Sequence, residues 1–238
     1  MSIHGSGTAG APARRVTVRV GAGVACVALL AVAGCSSRAN RPAPSRTSTP
    51  NSAKPTQSST SAPVVWPAPS DPLTRAVAAG LKPEVKENLT YHVHAHLDVF
   101  VDGVPITVPA GIGINIDDPR VQRFTDTPDG SFAYGGITGC RTPCISPLHT
   151  HDTTGILHTE SATPEPNTLG QFFTEWDVRL SNSCVEQYCG PKPIAFYVNG
   201  TLYTQDPRAI TLTDHKEIAI VIGTPPSKIP ETADFSTA

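Results

Sequence analysis

The sequence predicts an α+β fold, in which a mostly antiparallel β-sheet with hairpins and one short packed helix follows a disordered tether. Two observations lead to this fold class. Apolar side chains alternate with polar ones along several segments after residue 90, and Asp102-Gly103 and Asn199-Gly200 are turn pairs typical of β-hairpins. Residues 36–63 are rich in proline, serine and threonine and nearly lack large apolar side chains, so they are not expected to fold.

The first predicted strand is the most regular. Its alternating apolar positions predict one buried and one polar face; they are Tyr91, Val93, Ala95, Leu97, Val99 and Val101. The Asp102-Gly103 turn leads into residues 104–108, where Pro105 predicts an edge strand because proline cannot donate to a sheet.

The remaining elements follow in order. A short helix is expected at residues 73–79, ended by Gly80, and Thr168 is expected to cap the packed helix that runs through Trp176. Residues 156–160 and 218–222 predict two further strands, and residues 194–198 and 201–203 a second hairpin.

The beginning of the chain has the features of an export signal. Three arginines, Arg14, Arg15 and Arg19, precede an apolar run at residues 21–34, which is shorter than the roughly 20 residues of a membrane span. The run ends in Val32-Ala33-Gly34-Cys35, which resembles the lipobox of bacterial lipoproteins at every position. An ordinary signal peptide with a chance cysteine is the alternative interpretation.

The lipobox resemblance implies how the chain is divided. Residues 1–34 would be a lipoprotein signal peptide, and residues 35–70 the lipidated Cys35, with diacylglyceryl and palmitate chains, and a disordered linker. Residues 71–238 would form a single extracytoplasmic domain, anchored by lipid on the outer face of the cell membrane. The formal net charge is -2 at pH 7, which gives no electrostatic reason to expect nucleic acid as a partner.

Four cysteines remain outside the leader and Cys35: Cys140, Cys144, Cys184 and Cys189. An even number of cysteines outside the cell predicts disulfides. Of the three pairings, the two local ones are favoured, and a zinc site built from four thiolates is the alternative.

Histidines carry the chemistry that the sequence indicates. His92, His94 and His96 occupy alternate positions of the first strand, so all three lie on its polar face, followed by Asp98. A second group comes later in the chain and consists of His149, His151, Asp152, His158 and Glu160. Each group is too small to complete a metal site, which predicts one site assembled between them.

The hypothesis is therefore a metal site with six candidate ligands: His92, His94, His96, His149, His151 and His158. Asp98, Asp152 and Glu160 are the candidate carboxylates that orient the imidazoles from behind. Methionine occurs only at position 1, and oxidised cysteines offer no thiolate. Soft ligands for Cu(I) are then missing, which leaves Cu(II) or Zn(II) as the metal. A solvated histidine face is the alternative, and His215 is expected to be structural.

Known histidine motifs of metalloenzymes do not match. A cupin would need a glutamate where Gly155 and Ile156 stand, and a metallo-β-lactamase would need a histidine after Asp152. An amidohydrolase barrel needs roughly 250 residues, more than residues 71–238 provide. Enzymatic activity is unsupported.

Taken together, residues 91–223 resemble uncharacterised histidine-rich extracytoplasmic bacterial domains, which bring no assigned activity with them. The sequence predicts a membrane-anchored lipoprotein that binds Cu(II) or Zn(II) for sequestration, delivery or sensing. The alternatives are an envelope structural or interaction lipoprotein without metal, and a small metal-dependent hydrolase.

Overall fold

A computed structural model describes residues 65–125, 127 and 129–236. The predicted signal peptide, Cys35 and the linker up to residue 64 lie outside these residues. Within them the chain has two α-helices and many strands in mostly antiparallel sheets, so the predicted α+β class is confirmed. None of the helices described is long and apolar enough to cross a membrane.

The strands, in chain order, are β1 (Tyr91–Val101), β2 (Val104–Ile106), β3 (Gln122–Phe124), β4 (Ala133–Gly135), β5 (Leu148–His149), β6 (Ile156–Ser161), β7 (Leu180–Ser181), β8 (Cys184–Val185), β9 (Tyr188–Cys189), β10 (Ile194–Val198), β11 (Thr201–Tyr203) and β12 (Lys216–Ile222). The main sheet has the order β11-β10-β12-β1-β6-β5, and β2 also pairs with β1. β1 and β12 run parallel, whereas the other described pairs in this sheet are antiparallel.

Both predicted hairpins are confirmed. In the β1–β2 turn the φ angles are 50° at Asp102 and 80° at Gly103, and in the β10–β11 turn they are 48° at Asn199 and 72° at Gly200. Two successive positive φ angles define the type I′ turn, whose twist matches that of the flanking strands. These turns set the register of both hairpins.

The part of the chain that the structure describes has two short α-helices, α1 (Pro72–Ala78) and α2 (Leu169–Glu175), and a 3-10 helix at Pro207–Ala209. Thr168 caps α2 in a capping box with Gln171, as the sequence predicts. Phe172 and Phe173 of α2 are fully buried in the main core, together with the odd-numbered face of β1 from Ala95 to Val101. The opposite face of β1 is thereby left for its histidines.

Packing begins earlier than residue 71. Trp66 is 4% exposed and belongs to the main core. Its ring centroid lies 5.7 Å from that of Trp176, and its carbonyl accepts a hydrogen bond from Trp176 Nε1 at 3.3 Å. The last residues of the segment expected to be linker are therefore part of the folded domain.

The four cysteines form the two local disulfides, Cys140–Cys144 and Cys184–Cys189. The second joins β8 to β9. Both predicted pairings are confirmed, and no thiolate is left among these cysteines for the four-cysteine zinc alternative.

A second, smaller core lies beside the β3–β4 hairpin. Ile114, Ile137, Cys144 and Ile145 are buried there, with Tyr134 of β4 packed against them. Alternation did not predict this hairpin, because β3 has only three residues, all exposed. The turn pair Asp129-Gly130 lies in the loop of residues 125–132 that joins β3 to β4, and was not recognised. The hairpin matters for function because β4 forms one wall of the cavity described below.

Candidate metal centre

Three adjacent strands bring the predicted histidines together. His94 of β1 pairs with His158 of β6, which pairs with His149 of β5, so the three form one row across the sheet. In the next row His92 pairs with Glu160. Directly opposed residues of antiparallel strands have Cβ atoms about 4.5–5.5 Å apart, so this register alone creates a dense polar cluster.

Five of the six candidate histidines are in this cluster: His92, His94, His149, His151 and His158. Neighbouring ring centroids lie between 4.4 and 5.9 Å apart. His158 is at the centre, because its ring neighbours all four of the others. The prediction that two distant segments of the chain share one site thus has a structural counterpart.

The inner part of the cluster consists of His149, His151, His158 and Glu160. Each offers one ligand atom, and the four atoms lie within 4.8 Å of one another. His149 Nε2 is 3.2 Å from His151 Nε2. Glu160 Oε1 is 3.7 Å from both His149 Nε2 and His158 Nδ1. We call these four residues the inner group.

Backbone carbonyls orient two of the inner rings. His149 Nδ1 donates to the carbonyl of Ser146 at 2.9 Å, and His151 Nδ1 donates to that of Tyr134 at 2.5 Å. A carbonyl oxygen can only accept, so both Nδ1 atoms carry hydrogen, and in the neutral rings both Nε2 atoms present a lone pair. Two lone pairs therefore face each other, which is the arrangement of two ligands to one ion.

The Nε2 separation fits a metal. Two nitrogens bound at about 2.0–2.1 Å to a tetrahedral zinc ion lie about 3.3–3.4 Å apart, and the observed distance is 3.2 Å. An N–H···N hydrogen bond at that distance would require a second proton on one ring. Burial opposes that charge on His149, which is 0% exposed.

Local hydrogen bonds hold the 148–151 segment in place. Thr150 Oγ1 donates to the carbonyl of Pro109 at 2.8 Å and accepts from Ile112 N–H at 3.1 Å. Gly113 has a φ of 74°, and a Cβ there would meet the Cβ atoms of Ser146 and His149 at 3.2 and 3.1 Å. Only glycine allows this close approach without strain, so the segment is clamped between β6 and the 109–113 loop.

Without a cation, the inner group has buried polar atoms that lack partners and pKa values shifted by burial. Burial, and then the neighbouring imidazoles, lower the pKa of His158 to about 3 and hold that of His149 well below its ordinary value. Burial raises the pKa of Glu160. His158 Nδ1 and Glu160 Oε2 are buried with no hydrogen-bond partner. Buried polar atoms without partners are costly, and a bound cation would satisfy them.

His92 and His94 form a more exposed pair on the same face. Their Nε2 atoms are 2.8 Å apart, and together with His158 they offer three ligand atoms within 4.8 Å of one another. His92 Nε2 also lies 3.3 Å from Glu160 Oε1. Burial, followed by His158 and His92, lowers the pKa of His94 to about 4. We call His92 and His94 the outer pair.

His96 and Asp98 lie apart from the cluster. His96 Nδ1 is 2.8 Å from Glu217 Oε2, and its Nε2 donates to the carbonyl of Thr154 at 2.8 Å. Burial pushes the pKa of His96 down, but the hydrogen bond and charge of Glu217 outweigh it and the pKa is raised. Asp98 is 3.8 Å from His96 Nδ1. His96, predicted as a ligand of the shared site, is thus ion-paired with Glu217, and Asp98 lies on the other side of the same ring nitrogen. These three residues form a group of their own, apart from the other five histidines.

The predicted roles of the other two carboxylates also change. Glu160 was expected to orient imidazoles from behind, but its Oε1 lies among the ligand nitrogens and can bind an ion directly. Asp152 lines the adjoining cavity, and its Oδ1 accepts hydrogen bonds from the backbone and hydroxyl of Thr154. The orienting role belongs to the carbonyls of Ser146 and Tyr134 instead.

A cavity of about 380 Å³ adjoins the cluster. Its walls include His92, His151, His158 and Glu160 on one side, and Tyr134 of β4 on another. Solvent or a small molecule could therefore reach an ion held by these residues.

No protein-family model, curated protein or solved structure matches this chain.

Two carboxylates near the histidines were not singled out from the sequence. Glu217 is the second residue of β12, directly before its apolar run, and is 0% exposed. A charged residue next to such a run is a signal that it needs a partner. Glu87 lines the cavity beside Glu160, and burial, then that neighbour, raises its pKa. Glu87 lies in an irregular segment, and no local pattern distinguishes it.

Proposed function

We propose that this protein is a lipid-anchored extracytoplasmic lipoprotein that binds Zn(II) or Cu(II) through the inner group. The observation that carries the metal site is the pair His149 and His151. Both Nδ1 atoms are committed to carbonyls, and the Nε2 atoms face each other at 3.2 Å. His158 and the carboxylate of Glu160 complete four ligands, the number that structural zinc sites use.

The donor set supports a divalent ion of intermediate softness. Three imidazoles and one carboxylate suit zinc and Cu(II), whereas Cu(I) prefers the thiolates and thioethers that are missing here. Calcium and magnesium prefer sites made of oxygen ligands. The metals predicted from the sequence are therefore the ones that the donor chemistry favours.

The cavity beside the site would let a bound ion exchange with the surroundings. The ion would lie beside the cavity lined by His151, His158 and Glu160, open to chelators or partner proteins. Sequestration, delivery or sensing would each use such a site. An interaction lipoprotein without metal, and a small metal-dependent hydrolase, are the competing functions.

The decisive experiment measures metal content and melting temperature. The full-length protein, purified without a histidine tag, is stripped with a chelator, exposed to each ion and washed. We expect zinc or copper to remain bound. At an ion concentration about 1,000 times Kd, binding stabilises a fold by about 4 kcal/mol, which corresponds to a rise in Tm of roughly 10 °C for a domain of this size.

His215→Ala is the matched control, because His215 has a side chain 65% exposed and lies outside the cluster. It should bind metal and melt like the unaltered protein. Absence of bound metal together with an unchanged Tm would exclude the metal-binding proposal and favour the interaction function.

The anchor is tested separately at Cys35. Cys35→Ala should remove the lipidation site, so the protein should leave the membrane fraction or remain uncleaved. Two or more acyl chains hold a protein firmly on a bilayer, whereas one chain binds only marginally. Fractionation and mass spectrometry distinguish the results, and a Cys35→Ala protein that stays on the membrane with its native mass would contradict the lipoprotein proposal.

A further inference from the structure

We infer that the cluster holds a second metal ion, bound by the outer pair His92 and His94 and bridged to the first ion by the carboxylate of Glu160. This inference rests on the proposed function, because it assumes that the inner group binds an ion. It changes the site from one shared ion, as the sequence predicts, to a centre of two ions.

The two ligand sets are distinct. The inner group and the set of His92, His94 and His158 are separate groups of mutually close ligand atoms, which share His158. The sheet register places His158 between His94 on one side and His149 on the other. His92 and His94 do not share a mutually close set of ligand atoms with His149 and His151, so each pair is placed to bind an ion of its own.

The geometry of the outer pair also fits a metal ion. The Nε2 atoms of His92 and His94 are 2.8 Å apart. Two nitrogens at about 2.0–2.1 Å from one ion and at right angles to each other are about 2.8–3.0 Å apart, as in the tetragonal geometry of Cu(II). The outer pair therefore offers two close Nε2 atoms on the solvent side of the cluster, as His149 and His151 do on its buried side.

Glu160 lies close to both pairs. Its Oε1 is 3.3 Å from His92 Nε2 and 3.7 Å from His149 Nε2, so one oxygen lies between the two pairs. Its Oε2 is buried and has no hydrogen-bond partner. A carboxylate with one atom between two ligand pairs and the other unsatisfied fits a bridge between two ions, which in such centres are about 3.5–4 Å apart.

The two sites should differ in affinity. His149 is 0% exposed and its ring is fixed by the Ser146 carbonyl, whereas the His92 side chain is 32% exposed. Rings that are already oriented lose less freedom on binding an ion. The inner ion should bind first and the outer ion second, at a higher concentration.

Stoichiometry tests the inference. The chelator-stripped full-length protein, without a histidine tag, is titrated with Cu(II) against a competing chelator. We expect two ions per chain with unequal affinities. The variant with both His92→Ala and His94→Ala should keep the tighter ion and bind the second at least about 100-fold more weakly, because losing even an orienting partner costs 10–100-fold. His215→Ala serves as the control and should bind both ions.

Copper gives an independent readout of the bridge. Two Cu(II) ions joined by Glu160 should couple magnetically, so the second equivalent should add less electron paramagnetic resonance signal than the first. Glu160→Gln keeps the side-chain shape but not the charge. It should lower the affinity for both ions and remove the magnetic coupling between them. The melting temperature of each metal-free variant shows whether it is folded.

The outcomes separate the two proposals. A single ion per chain, or a second ion that survives in the His92/His94 variant, overturns the two-ion centre and leaves the inner site standing; the contact between His92 and His94 would then be an imidazole hydrogen bond. Two copper signals that simply add overturn the bridge. If no ion binds at all, both the inference and the proposed function are wrong.

Discussion

Replacing His149 with alanine is expected to abolish tight metal binding. The ring is fully buried, its Nδ1 donates to the Ser146 carbonyl, and its Nε2 faces His151. Losing an orienting partner behind a ligand already costs 10–100-fold in metal affinity, so losing a ligand should cost at least about 100-fold. The dissociation constant of the tighter ion, measured by chelator competition, tests this expectation.

The double variant carries the sharper test. If His149 and His151 bind the same ion, each single replacement removes most of the affinity. Replacing both should then cost little more than either one, because residues in one site are strongly non-additive. If His149→Ala is too unstable to fold, His151→Ala alone still tests whether a ligand of this ion has been lost. Free-energy losses that simply add would contradict a shared ion, and His215→Ala supplies the baseline.

Local patterns in the sequence predict much of the fold. The alternation along β1 and the turn pairs Asp102-Gly103 and Asn199-Gly200 depend only on neighbouring residues, and both hairpins form as expected. The same alternation places His92 and His94 on the face opposite the core. Local rules suffice here because the period of a strand fixes which face each side chain occupies.

Long-range pairings were not predictable in the same way. The parallel pairing of β1 with β12 brings His96 next to Glu217 across 121 positions of sequence, and no local pattern encodes such a partner. This pairing holds the His96 side chain away from the metal cluster, although His96 continues the alternate positions of His92 and His94 along β1. The orienting carbonyls of Ser146 and Tyr134 were equally invisible, since every residue has a backbone carbonyl.

Glu160 shows where the prediction was close but incomplete. The sequence places His158 and Glu160 on one face of a short strand, and β6 confirms that placement. Whether the carboxylate lies behind the imidazoles or among them depends on which strand pairs with β6. Because β1 places His92 opposite Glu160, the carboxylate lies among the ligands.

Acidification should destabilise the metal-free protein in a way that depends on His158. Its pKa is lowered from 6.5 to about 3, first by burial and then by His151 and His92. Below pH 6.5 the unfolded chain gains a proton at this residue that the folded protein does not bind. Stability attributable to a neutral His158 is therefore complete above pH 6.5 and declines as the pH falls toward 3.

Comparison with His158→Gln measures this effect, because glutamine does not titrate. The variant also loses the contribution of His158 to the lowered pKa values of His94 and His149, which has the same sign. Relative to the variant, the unaltered protein should lose about 1.4 kcal/mol per pH unit below 6.5, or roughly 2 kcal/mol by pH 5. Buried carboxyls with raised pKa values, such as Glu175 and Glu217, give a pH dependence of opposite sign, but both proteins keep them and their effect cancels. Denaturant unfolding in excess chelator measures the difference at each pH. Curves that stay parallel from pH 7.5 to 4.5 would mean that His158 is not held neutral in the folded protein.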